Sequence, residues 1–116
     1  MNALENGMLM EMVFEAIADE TGYQRKTTFA SDFGIADCYG TDAVKDTYKR
    51  ALESWKTDIE YMTELCLALN WACWYHYDNG NIELSMLYSD LYHECDEYIL
   101  DNFKDDDLKY YLKVTD

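Results

Sequence analysis

The sequence predicts one all-α domain over residues 1–116: a bundle of five or six helices with a central apolar helix and an antiparallel helical hairpin. Three observations carry this. The chain has no Pro and only five Gly, so long stretches lack the residues that interrupt helices. Apolar residues recur every three or four positions, the period of a helix that buries one face. Hydrophobic residues make up 49% of the chain and aromatic ones 16%, enough apolar surface to offset the entropy of folding despite a net charge of -15.

The first helix is expected from Leu4 to Thr21, with Met10, Val13, Phe14 and Ile17 on one face, Glu11, Glu15 and Asp19 on another, and Gly22 as its stop. A polar bridge leads to a shorter second helix, about Thr28 to Tyr39. Its inner stripe is Phe29, Phe33, Ala36 and Tyr39, and Gly40 ends it. Thr41 is the expected N-cap of the third helix, with Asp42 in the first turn where the helix dipole favours a negative charge. Val44, Tyr48, Leu52 and Trp55 form its stripe, and Asp46 and Arg50 pair at the i, i+4 spacing. Thr57 and Glu60 have the spacing of a capping box, which places a break before the fourth helix.

That fourth helix, about Asp58 to Tyr77, is the expected core. Of the 13 residues from Leu65 to Tyr77 only Asn70 and His76 are not hydrophobic. The run is shorter than the roughly 17 to 25 apolar residues of a membrane span and follows Asp58, Glu60 and Glu64, so no membrane association is expected. Trp55, Trp71 and Trp74 are expected inside, and Asn70 is expected to make a buried hydrogen bond that fixes helix packing. Asp78, Asn79 and Gly80 make a turn, and Asn81 caps a fifth helix reaching about Asn102. Its stripe of Leu84, Tyr88, Leu91, Cys95 and Tyr98 packs antiparallel on the fourth helix. Asp105, Asp106 and Asp107 begin a short last helix, docked by Leu108, Tyr111 and Leu112.

The segments DF-x-IAD-x-x-G (Asp32 to Gly40), DTYKRA (Asp46 to Ala51) and TEL-x-x-x-LNW (Thr63 to Trp71) resemble a family of small proteins of gut Bacteroidetes. Its members are often encoded on conjugative transposons or prophages. The similarity runs from about Lys26 to Asp116. No activity is attached to that family, so the resemblance transfers no catalytic role; it implies a mobile-element context in an anaerobe.

No residue pattern carries a catalytic signature, and the expectation is a protein that is not an enzyme and holds no cofactor or metal. Asp90, His93, Glu94 and Glu97 place carboxylates a turn from an imidazole, but a di-metal bundle site needs a Glu-x-x-His on each of two helices. His76 and His93 lie roughly 15 Å apart along the hairpin at about 1.5 Å per residue, too far to share a metal. His93 is read as a solvated polar residue and His76 as a cation at a helix C-terminus. Cys73, in the most apolar segment, is read as inert, and Cys66 with Cys95 as packing across the hairpin. The residues Met1 to Glu11 lack the basic start and apolar run of a secretory signal, so a cytoplasmic protein with reduced thiols is expected.

Direct nucleic-acid binding is not expected. Residues 25–56 carry a net +1, but residues 1–24 carry -5 and residues 57–116 carry -11, a field that repels phosphate. Tyr supplies 11 of the aromatic residues, more than a core of this size calls for, and Tyr is enriched at interfaces. The expected function is therefore a small acidic interaction protein acting through a protein partner or a homo-oligomer. Its candidate partner surface comprises Tyr88, Tyr92, Asp96, Glu97, Asp101, Asp106, Asp107 and Tyr110. The alternative is a DNA mimic that inhibits a host nucleic-acid-binding or defence protein.

Overall fold

The computed structural model describes residues 27–115 together with Met12. The expected first helix thus lies outside the described residues, Met12 apart. Five helices follow: α1 (Phe29–Ala36), α2 (Thr41–Trp55), α3 (Ile59–Asp78), α4 (Ile82–Asn102) and α5 (Asp105–Thr115). Among the described residues there is no strand. The fold is all-α, and the antiparallel pair α3 and α4 is its most extensive helix contact.

The breaks fall where the sequence places them, although the capping residue sometimes differs. The α1 helix stops at Ala36, because the Asp37, Cys38 and Tyr39 amides turn back onto the Phe33, Ile35 and Ala36 carbonyls. Tyr39 is therefore 80% exposed and does not belong to the inner stripe of Phe29, Phe33 and Ala36. Gly40, at φ +103°, is the N-cap of α2 in place of Thr41, in a backbone region that a side chain disfavours. Asp58 caps α3, its carboxylate accepting from the Glu60 and Tyr61 amides at 3.0 and 3.2 Å, so the Thr57–Glu60 box is not the device used. Asn81 caps α4 as expected, after Gly80 at φ +77°. The Asp46–Arg50 pair forms at 3.1 Å.

The core gathers around α3. Met62, Leu65, Cys66, Ala68, Leu69 and Ala72 are buried, and α1, α2, α4 and α5 all pack against this helix. From α4 come Leu84, Tyr88, Leu91, Cys95 and Ile99, with Ile99 taking the fully buried place expected of Tyr98. Val44, Tyr48 and Ala51 face inward from α2, and Tyr111 and Val114 dock α5. Leu112 is 44% exposed and does not dock.

Four further expectations are corrected. Trp74 is 59% exposed and Trp55 38%, the latter stacked on Tyr61 with ring centroids 3.9 Å apart. Asn70 is exposed and fixes no packing. His76 does lie in the last turn of α3, at 6% exposure and beside Asp37. Tyr88, at 0%, belongs to the interior.

Candidate partner-binding surfaces

Two buried polar chains show where part of the acid and tyrosine surplus goes. At the C-terminus of α1, Asp37 accepts a short hydrogen bond from the Tyr88 hydroxyl on one oxygen and lies 2.8 Å from His76 Nε2 on the other. The His76 and Tyr88 rings stack at 5.5 Å and 5°, and Phe33 meets Tyr88 edge-on. One carboxylate thus joins α1, α3 and α4. Burial, followed by the Asp37 charge, pushes the Tyr88 hydroxyl well above the ordinary tyrosine range.

The second chain links α3, α4 and α5. The Tyr111 hydroxyl gives a short hydrogen bond to Asp96, and Cys66 Sγ lies 3.1 Å from the same oxygen. Because that hydroxyl has one proton and gives it to Asp96, the Cys66 thiol donates to it in turn. Hydrogen bonding to Cys66, then burial, raises the Cys95 thiol. These thiols therefore lie together, as the sequence reading of the hairpin has it. Cys73 is half-buried, 3.8 Å from the Ser85 hydroxyl. A third interior carboxylate, Glu64, is 1% exposed and accepts from the Thr27 amide at 3.1 Å and from the Thr27 hydroxyl.

This accounting redistributes the candidate surface. Tyr88 leaves it, being interior. Asp96 is half-buried and bound to Tyr111. Tyr92 and Tyr110 are half-buried on α4 and α5; burial, then Glu60 and Glu64, pushes the Tyr110 hydroxyl up to about 12. Glu97, Asp101, Asp106 and Asp107 are exposed, the first pair on α4 and the second in the first turn of α5.

A longer feature emerges on α4. Glu83, Asp90, Glu94, Glu97 and Asp101 are all exposed, and their steps of seven, four, three and four keep them on one side of the helix. The row extends about 27 Å at about 1.5 Å per residue. No Lys or Arg occurs between Lys56 and Lys104, so neither α3 nor α4 carries a base to neutralise it. The clue to this row lay in the sequence as the charge asymmetry of residues 57–116, but only the burial pattern separates its members from Asp96.

A groove of about 570 Å³ lies between α1, α2 and the start of α3. Ile35, Tyr39, Trp55 and Tyr61 form its apolar wall, and Asp32, Asp46 and Arg50 its polar rim. Arg50 is engaged by Asp46, and the Thr28 hydroxyl donates to Asp32 at 2.9 Å. On the outer side of α2, Lys45, Lys49 and Arg50 alternate with Asp42, Asp46 and Glu53, while Tyr48 points into the core.

Among the described residues, no group of three or more His, Cys, Asp and Glu could hold a metal ion. His93 is exposed beside Tyr92, and His76 is committed to Asp37. No described helix is long and apolar enough to cross a membrane. Comparison with family models, curated proteins and solved structures finds no match for this chain.

Proposed function

We propose that this protein is a small acidic interaction module that acts by binding a basic partner protein, not by catalysis. The observation that carries the reading is the row Glu83, Asp90, Glu94, Glu97 and Asp101, exposed along one side of α4 on a hairpin with no Lys or Arg. Surface carboxylates that only keep a protein soluble are usually interspersed with bases, whereas a single-sign face focuses the field and steers an oppositely charged partner. A rigid helix anchored through Tyr88 and Tyr111 fixes the spacing of these charges before binding, which lowers the entropic cost of association. An accessory role on a mobile element agrees with the family that the sequence resembles.

The same row supports a second reading, mimicry of DNA, because carboxylates held along one line can take the place of a phosphate backbone in a basic groove. Affinity capture from a lysate of the source cells, at low and high salt, tests both. A basic partner released by salt, and lost when the five α4 acids become Gln or Asn, is the expected result. Release of that partner by duplex DNA assigns mimicry. A partner that survives high salt and ignores the α4 substitutions refutes the acidic row as the binding face.

A further inference from the structure

Cys66 and Cys95 meet inside the α3–α4 hairpin. Cys95 Sγ lies 4.0 Å from the Met62 carbonyl, which in a regular helix accepts from the amide four residues on, so Cys95 sits at the level of Cys66 on α3. Antiparallel helices packed about 8 to 10 Å apart, with Cα atoms about 2.3 Å from each axis, bring facing Cα atoms to roughly 3.5 to 5.5 Å, which overlaps the range that a disulfide spans. Both thiols are free and buried. Two hydroxyls border the pair. Tyr111 of α5 sits 3.1 Å from the Cys66 sulfur and is held there by its bond to Asp96. The Tyr48 hydroxyl of α2 is buried without a hydrogen-bond partner among the described residues. After burial itself, the neighbours that raise this hydroxyl are Cys95, Glu94 and Cys66, which places it beside the pair.

We propose that Cys66 and Cys95 are an oxidisable pair that hydrogen peroxide converts to a disulfide, with α5 as its cover and Tyr48 as a positioning residue. Local opening of α5, which packs on α3 through Tyr111, uncovers Cys66 first. The Cys66 thiolate attacks one peroxide oxygen: the O–O bond breaks, an S–O bond forms and the sulfur becomes a sulfenic acid. The Cys95 thiol then gives up its proton and its sulfur attacks that of Cys66, so that an S–S bond forms as hydroxide leaves and takes up a proton. Two thiols and one peroxide thus give one disulfide and two waters. Burial disfavours a thiolate, and the bond to Cys66 pushes the Cys95 thiol up, so the second step needs a donor to the Cys95 sulfur. The Tyr48 hydroxyl supplies it, because it has no acceptor at rest and gains one when Cys95 ionises. The link also removes the Cys66 proton that is given to Tyr111, so oxidation ties α3 to α4 and loosens α5. This device is independent of the acidic row and of any partner.

The test uses the full chain carrying Cys38→Ser, which removes the exposed thiol. It is treated with a small excess of hydrogen peroxide, quenched with iodoacetamide in denaturant and mapped by mass spectrometry. The expected product is an intramolecular Cys66–Cys95 link with Cys73 alkylated, and amide hydrogen exchange in α5 is then faster than in the reduced protein. Tyr111→Phe loses a hydrogen bond to a carboxylate and is expected to speed the link about tenfold by favouring the opening of α5. Val114→Ala, which trims the other buried side chain of α5, acts in the same direction and serves if circular dichroism shows Tyr111→Phe unfolded. Tyr48→Phe should slow the link and let sulfenic acid build up on Cys66, where dimedone traps it, without weakening the fold. A tyrosine that only fills space would leave both readouts unchanged. Alkylation of both Cys66 and Cys95 after peroxide, a link that forms only in urea, or no acceleration in the folded α5 variant overturns the proposal. Wild-type rates with no trapped sulfenic acid in Tyr48→Phe overturn the part given to Tyr48.

Discussion

Tyr48 and Tyr88 are nearly equally buried, at 2% and 0% exposure, but their hydroxyls have opposite fates. Tyr88 donates to Asp37, whereas among the described residues the Tyr48 hydroxyl has no partner. A hydrogen bond to a charged group contributes about 1.5 to 3 kcal/mol, and a buried unsatisfied hydroxyl costs about 1 to 3 kcal/mol. Tyr88→Phe is therefore expected to lose about 1.5 to 3 kcal/mol of stability in urea denaturation, while Tyr48→Phe is neutral or stabilising. Alkaline titration reads the same environments together. Burial is the largest cause of the raised pKa of Tyr48, Tyr88, Tyr92, Tyr110 and Tyr111. A folded pKa above the unfolded value of about 10 means that these groups contribute stability below pH 10, which is lost as pH rises through their folded pKa values. Absorbance at 295 nm should show these five phenols ionising together with loss of helical circular dichroism, starting with the loss of the Tyr110 contribution between about pH 10 and 12.

The individual helices were legible from periodicity and punctuation, since a 3.6-residue apolar repeat and the absence of Pro leave little other structure open. What was not legible was the choice among adjacent residues able to do the same job. Thr57 and Asp58 can both cap, and the extended backbone of Asp58 aims its carboxylate at the Glu60 and Tyr61 amides. Asp58→Ala should cost about 0.5 to 2 kcal/mol and Thr57→Ala close to nothing, measured side by side by thermal denaturation. Side chains with an apolar body and a polar edge were the other difficulty. Trp74 lies outside and Tyr88 inside because the burial of Tyr88 depends on Asp37, which arrives from 51 residues away. Leu69 has no such ambiguity. It is fully buried in α3, and Leu69→Ala should cost about 2 to 5 kcal/mol through lost contacts and a residual cavity.

At the scale of the whole molecule, the charge of -15 divides into two roles that composition could not separate. Asp37, Glu64 and Asp96 are structural acceptors that bind Tyr88, Thr27 and Tyr111, so Asp96, expected at the surface, instead helps to hold helices together. The tyrosine surplus has the same explanation in part, since Tyr48, Tyr88 and Tyr111 fill the core. The remaining exposed acids on α4 are the ones free to meet a partner, and their alignment follows from the way α4 buries Leu84, Tyr88, Leu91, Cys95 and Ile99 on its opposite side. Carboxyl footprinting of the isolated partner complex tests this most directly. Carbodiimide-driven amidation, read by mass spectrometry, compares each carboxylate in the free and bound protein. The account predicts that Glu83, Asp90, Glu94, Glu97 and Asp101 lose reactivity in the complex while Asp42 and Asp46, exposed on α2, keep theirs. Protection of Asp42 and Asp46 with an unchanged α4 row would contradict it.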